Sequence, residues 1–413
     1  MSSADLTQKL FSDKRYESKA EDAARKVAEQ TVQRHAQWVV SMKYIVDQSD
    51  VDSLLSLQGK YCDSVIFEEK ERITENQRIL LQCEKQRVVE RREKLEERQL
   101  VLDKVVKRVS VTTEKMMLDR LSQMSVQKLL WGFPDFGHFV SFAYSASLSF
   151  SRLGTLATLS SPLSNSVLDL VGNDTFCKLL GKYPKQTKDA KVAIGYMGIE
   201  NCRKLFPVLM ARPLLKWSDK NTRLIAPKIW QHAIVMANVT RMRLNDAGYK
   251  EPDEGVLIGM IRAFSYFAVC NYFSQIFEDA LISVMQDFRD NEQMSEYFAC
   301  SEVTPTLSVL PSVLCKLDKQ LTQNIIDYID WGPRGVHLKN ALIEDIEQTP
   351  VLARSLHGVA LAQARAFSIY DTMKASNVFI DKLAPFWFAN VQMDGASLKK
   401  LQQSSPGKLT LSM

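Results

Sequence analysis

From Met1 to Trp131 the chain contains a single glycine, Gly59, and no proline; the first proline is Pro134. Glycine and proline are the residues that interrupt helices, so a stretch this long with so few can be helical nearly throughout. The whole chain leans the same way. Its 413 residues include 16 glycines and 13 prolines, below the usual shares of about 7% and 5%. A many-stranded sandwich or barrel needs frequent turn residues, and this chain lacks them. The expected fold class is therefore all-α. Hydrophobic residues at 46% and charged residues at 24% are ordinary for a globular protein and exclude collagen, a disulfide scaffold and global disorder. At about 150 residues per domain, the length allows two to three folding units.

Charge excludes another class. Lys and Arg total 53 against 48 Asp and Glu, a net +5. The excess is spread out, with 23 basic and 22 acidic residues in 1–120 and the remaining 30 and 26 in 121–413. Neither part is a polycation, so no nucleic-acid partner is expected. The seven cysteines include no CxxC pair, which speaks against structural zinc and for reduced thiols in a cytoplasmic protein. The N-terminus has no apolar signal region, and the longest uncharged stretches, such as Phe136–Ser151, are too short and too rich in serine to span a membrane.

Between Glu68 and Arg108 more than half of the positions are charged. Leu81, Val88, Leu95, Leu102 and Val109 recur at heptad spacing, and Ile66, Ile73 and Leu80 form an earlier run one position out of phase. Companion positions such as Glu84, Arg91 and Arg98 are charged, so the seam is thin. A coiled coil, between chains through residues 60–118 or folded back within one chain, stands beside a single solvated helix held by i,i+4 ion pairs. Composition changes at Trp131, where WGFPDFGHF supplies Gly, Pro and Gly in close succession. Beyond it, breaks at Pro162, Gly172, Pro184, Pro213 and Pro252 bound helical pieces. Ile229, Ala233, Met236 and Val239 share one face of such a piece, and Val256–Phe273 is apolar all round, as a buried central helix would be. The basic tail after Asp394 reads as a solvated, disordered end, while Pro385, Phe386, Trp387 and Phe388 read as packed back on the domain.

No phosphate loop, dinucleotide fingerprint, nucleophile elbow, HExxH or EF-hand is present. The five histidines, His35, His138, His232, His337 and His357, never cluster in sequence, so a histidine site could arise only through tertiary contacts.

Residues 161–207 carry Ser161, Pro162 and Leu163, then Val167 to Val171, Asn173 and Asp174, Ala193 and Ile194, Met197 and Gly198, and Arg203. This order resembles the first lobe of the HDOD family of bacterial signalling proteins. Ile229 to Ala233, including His232, followed by Val256–Tyr266, resembles the helix pair of the wider HD superfamily. The resemblance extends over roughly 120–375. It implies a helical N-terminal module (1–118), an HDOD-like domain (119–375, with lobes at about 119–215 and 216–375) and a C-terminal extension (376–413).

In HD hydrolases a histidine on the first helix, a His-Asp doublet on the second and a further Asp bind metal. Here His232 matches the first, but Arg262 and Ala263 stand at the doublet. Alanine offers no ligand atom, and arginine offers a fixed positive charge with no lone pair. The resemblance therefore implies a non-catalytic signalling protein without metal or cofactor, acting on a protein partner or sensing a ligand. His232 reads as a core histidine, or with Arg262 as a relict pocket for an anion such as a nucleotide phosphate. Two alternatives stay open. One is a phosphohydrolase or cyclic-dinucleotide phosphodiesterase with substitute ligands from His232, Asp253, Glu254 and Asp279, although Asp253 and Glu254 also suit the acidic first turn of a helix. The other is a structural coiled-coil oligomerisation protein.

Overall fold

The computed structural model describes residues 3–13, 17–41, 82–144, 148–409 and 411, and among them the chain is helical without a strand. The seam positions Ile66, Ile73, Leu80 and Leu81 lie outside the described residues. The helices in chain order are α1 (Ser3–Gln8), α2 (Ser18–Val40), α3 (Gln82–Gln123), α4 (Val126–Leu129), α5 (Phe136–Ala143), α6 (Phe150–Leu159), α7 (Ser161–Gly172), α8 (Asp174–Leu179), α9 (Ala190–Met197) and α10 (Ile199–Ala211). They continue with α11 (Ala226–Ala247), α12 (Glu254–Arg262), α13 (Phe264–Asp290), α14 (Met294–Ala299), α15 (Leu310–Tyr328), α16 (Gly332–Ile346), α17 (Leu356–Ala375), α18 (Ala384–Ala389) and α19 (Gly395–Gln403).

The breaks fall where local chemistry puts them. Ser160 caps α7 by accepting from the Leu163 amide, and Pro162 lies in its first turn. Asn173 caps α8. Gly198 joins α9 to α10 at φ +87°, ψ 151°, a conformation open essentially to glycine alone. Helix α11 opens with Pro227 and ends at Gly248 in the left-handed conformation.

Two compact units emerge. The larger comprises Met1–Val40, Met117–Ser274 and Leu310–Met413; the smaller comprises Ser41–Met116 and Gln275–Val309. In the smaller unit, ion pairs link α3 to residues further along the chain: Arg98 to Glu302, Lys104 to Glu296 at 2.7 Å and Arg108 to Asp287 at 3.9 Å. The buried stripe of α3 is Val105, Val109, Thr113, Met117 and Leu121, spaced by four rather than seven, and Leu95 of the heptad series is exposed.

In the larger unit α11 is the central element, packed against α12 and α17. The α11–α12 approach is backbone to backbone. A Cβ added at Gly259 would lie 2.4 Å from the Ala237 Cα, and one at Gly255 would lie 2.5 Å from the Arg241 amide nitrogen. The apolar stretch 256–273 is buried, but it divides at Ala263 into α12 and α13. One unbent helical stretch among the described residues, Glu254–Asp290, is long and apolar enough to cross a membrane; its most apolar window is 94% buried.

The two compact units cut across the expected boundaries at 118 and 376. Helix α2 buries Ala36, Trp38, Val39 and Val40 and packs against α15, α17 and α18, so the N-terminal helices up to Val40 belong to the globular unit. Arg34 donates to the Val378 carbonyl at 2.7 Å, and Lys228 donates to the Trp38 carbonyl at 2.8 Å. The described part of the tail is packed on the larger unit too. Asp394 caps α19, Lys400 pairs with Asp246, Leu401 is buried, and Asn238 donates to the carbonyls of Pro406 and Lys408. Trp387 and Phe388 are packed inward as expected, with the Trp387 indole donating to the Ala366 carbonyl at 2.9 Å, whereas Pro385 and Phe386 are exposed on the outer side of the same turn. Arg243 and Gln363 fasten both chain ends from inside. Arg243 donates to Gln363, Ser397 and the Leu10 carbonyl, and Gln363 donates to the carbonyls of Leu10 and Val391.

Gly259→Ala forces α11 and α12 apart and should cost about 1–3 kcal/mol in urea denaturation. Gly195→Ala on α9, where an added Cβ meets nothing within 4 Å, should stabilise by about 0.5–1 kcal/mol in the same measurement.

Candidate functional site

The doublet positions lie at the end of α12, inside the larger unit. Ala263 is fully buried, and the Arg262 guanidinium is buried among carboxylates. Arg262 Nε donates to Asp345 Oδ2 at 2.6 Å, while Nη1 and Nη2 donate to the two oxygens of Asp318 at 2.8 and 2.7 Å. Asp318 comes from α15 and Asp345 from α16. Ser265 donates to Asp318 at 2.6 Å, and Arg354 donates to Asp345 at 3.0 Å. Arg365 of α17 lies 3.7 Å from each carboxylate. Burial alone would push Asp345 up, but Arg365, Arg262 and Arg354 outweigh it and hold the carboxyl well below its ordinary range. Asp318 is lowered in the same way, against burial, by Arg262 and Arg365. Burial opposes the charge on Arg262, and the two aspartates more than restore it.

His232, on α11, is buried with its Nδ1 2.8 Å from the Ser368 hydroxyl, which also reaches the His232 carbonyl at 2.9 Å. Its ring faces His35 of α2 at 4.7 Å and Tyr266 at 5.7 Å. Burial, then Arg365 and Arg262, push His232 down to about 3. Burial, then His232, Arg365 and Lys228, push His35 well down. Both ring nitrogens of His35 lack a hydrogen-bond partner among the described residues. The structure thus brings His232 and Arg262 into one buried region, with Ser368 beside the imidazole and two carboxylates on the guanidinium. An anion at Arg262 would have to displace carboxylates already held at 2.6–2.8 Å.

The substitute ligands separate. Asp279 belongs to the smaller unit. Asp253 is buried, with Oδ1 unpartnered among the described residues, and burial raises its pKa. Glu254, the first residue of α12, belongs to a second buried cluster. One oxygen, Oε2, accepts from the Tyr249 hydroxyl at 3.0 Å and lies 2.9 Å from His337 Nε2 and 2.8 Å from His357 Nε2. Burial would raise Glu254, yet the two imidazoles bring it down to about 2.

Local structure explains this convergence. Gly255 and Gly259 seat α12 against α11. Ser355 caps α17 and is itself held by Glu344 of α16, which accepts from its amide and hydroxyl. A Cβ at Gly358 would fall 1.8 Å from the Glu344 carboxylate, so a larger residue there would displace the carboxylate that holds Ser355. Sequence reading missed Asp318, Asp345, Arg365, Ser368, His337 and His357. For Asp318, Asp345, Arg365 and His357 the only signal is a charged or histidine residue within a largely apolar helical stretch, and Ser368 and His337 carry none.

Residues 180–304 match the family model of the HDOD domain. The match contains His232, Glu254 and Arg262 and ends before Asp318. No curated protein and no solved structure matches the chain.

Two outcomes follow from the buried groups. His232 is neutral in the fold but binds a proton below about pH 6.5 when unfolded, so the unfolded state binds more protons between pH 6.5 and about 3. Stability should therefore fall as pH drops from 7 to 5, by about 2 kcal/mol from His232 alone, with His35 adding in the same direction. The depressed aspartates contribute only below about pH 4. Guanidinium denaturation at each pH measures this, and His232→Gln should flatten the slope. Asp345→Ala leaves Arg262 and Arg354 short of a buried partner and should cost about 3–5 kcal/mol by the same method.

Proposed function

We propose that this chain, which carries an HDOD domain, is a non-catalytic signalling protein whose helical surface docks a protein partner or responds to a ligand. The match of residues 180–304 to the HDOD domain supports a relation to the HD superfamily. The observation that carries the non-catalytic reading is Arg262 itself. A metal-dependent HD hydrolase holds a divalent cation among imidazole and carboxylate ligands so that bound water becomes a nucleophile. Here carboxylates do converge, from α15 and α16, but they converge on a guanidinium. Its charge neutralises them, its bulk fills the space between them, and it offers no coordination position for water. His232, the residue matching the first HD ligand, is turned to Ser368.

The cluster is also a mechanical part. Arg262, Asp318, Asp345 and Arg365 come from four helices, α12, α15, α16 and α17, and hold them in one arrangement. A signalling domain relays its state through the relative placement of such helices. The setting we infer is cytoplasmic. The heavily charged region 60–118 is a candidate for contacts between chains, and a nucleotide is a secondary ligand class.

Purified full-length protein should hydrolyse neither cyclic dinucleotides nor nucleotides above background when supplied with Mn²⁺, Mg²⁺ or Fe²⁺. Metal-dependent turnover that disappears in His232→Ala would overturn the non-catalytic reading.

A further inference from the structure

We propose that Glu254, His337 and His357 form a binding site for a divalent cation of the zinc class, separate from the Arg262 cluster. Each residue offers one ligand atom, and these atoms all lie within 4.8 Å of one another. They come from three helices of the larger unit, α12, α16 and α17. The two imidazole rings meet edge to face with centroids 4.8 Å apart, and both Nε2 atoms point at the same carboxylate oxygen.

Two imidazoles and one carboxylate are a donor set suited to zinc, which they hold with a fourth position left for water. Bonds of about 2.0–2.1 Å in a tetrahedral site put ligand atoms about 3.3 Å apart. The present separations of 2.8 and 2.9 Å therefore need to open by about half an ångström, a movement within the reach of side-chain torsions. The Nε2 protons that now face Glu254 Oε2 would leave as the ion enters, moving to Nδ1 or to solvent, so that each ring carries its proton on Nδ1 and presents the Nε2 lone pair to the ion. The Tyr249 hydroxyl, 3.0 Å from Glu254 Oε2, would steady the ligating carboxylate.

Access and rigidity fit as well. The side chains of Glu254 and His357 are 7% and 6% exposed, which fixes them, while that of His337 is 40% exposed and opens the site to solvent. The cation would join α12, α16 and α17, the helices that also contribute Arg262, Asp345 and Arg365. Loading would therefore stiffen the arrangement that the ion-pair cluster sets, giving the domain a route to sense metal.

The test uses full-length protein stripped with chelator and then titrated with Zn²⁺, with Co²⁺ as a spectroscopic stand-in. The expected result is one ion per chain by calorimetry and elemental analysis, visible absorption from low-coordinate Co²⁺, and a melting temperature raised by about 5 °C at saturation. His337→Ala, at the exposed ligand, should melt like the parent protein in chelator yet bind Zn²⁺ at least tenfold more weakly. Glu254→Gln should lose the Co²⁺ spectrum. His138→Ala, an exposed histidine elsewhere, should bind unchanged. If His337→Ala does not fold, His337→Gln serves in its place. Absence of stoichiometric binding, or binding that survives both ligand substitutions, overturns the site. Neither result depends on hydrolysis, so the site and the non-catalytic reading stand or fall separately.

Discussion

The larger unit is organised around one buried ion cluster, in which the Arg262 guanidinium is gripped by Asp318 and Asp345. Burying such charges carries a desolvation penalty that only close, multiply bonded geometry offsets. The helices cannot slide relative to one another without breaking bonds of 2.6–2.8 Å, because each partner comes from a different element. Apolar packing alone tolerates many arrangements of similar energy. A guanidinium that must meet two carboxylates at once selects among them.

Arg262 occupies a position that the sequence resemblance matches to a metal-ligating doublet. A metal centre does two jobs, binding helices together and activating water. The Arg262 guanidinium likewise binds helices together, through a plane of donors that offers no lone pair. His232 is a neutral core residue beside Ser368 and His35.

Much of the helical frame was legible in the sequence because its punctuation is local. Pro162, Asn173, Gly198 and Gly248 mark helix ends through backbone conformation and capping, which need no knowledge of the fold. The inward face of α11 followed from Ile229, Ala233, Met236 and Val239 for the same reason. What was not legible depends on distant partners. Helix α2 presents an ordinary polar pattern, and the elements that cover it, α15, α17 and α18, come from the far end of the chain. Of the residues in the buried region, His232 and Arg262 were singled out from the sequence. Asp318 and Asp345 were not, since an acid on an amphipathic helix reads as solvent-facing until its arginine is known. His337 and His357 stand on separate helices, at a spacing with no signature.

The fastening of Leu10 and Val391 by Gln363, with Arg243 reaching Leu10 and Ser397, bears on how the chain is made. A helix such as α2, whose covering helices α15, α17 and α18 lie far downstream in the chain, must wait, on or off the ribosome, with Trp38 and Val39 uncovered. Synthesis at about 5–20 residues per second makes that interval tens of seconds. Final closure is then a long-range event of high contact order, and the nascent chain has reason to engage chaperones until its last helices emerge.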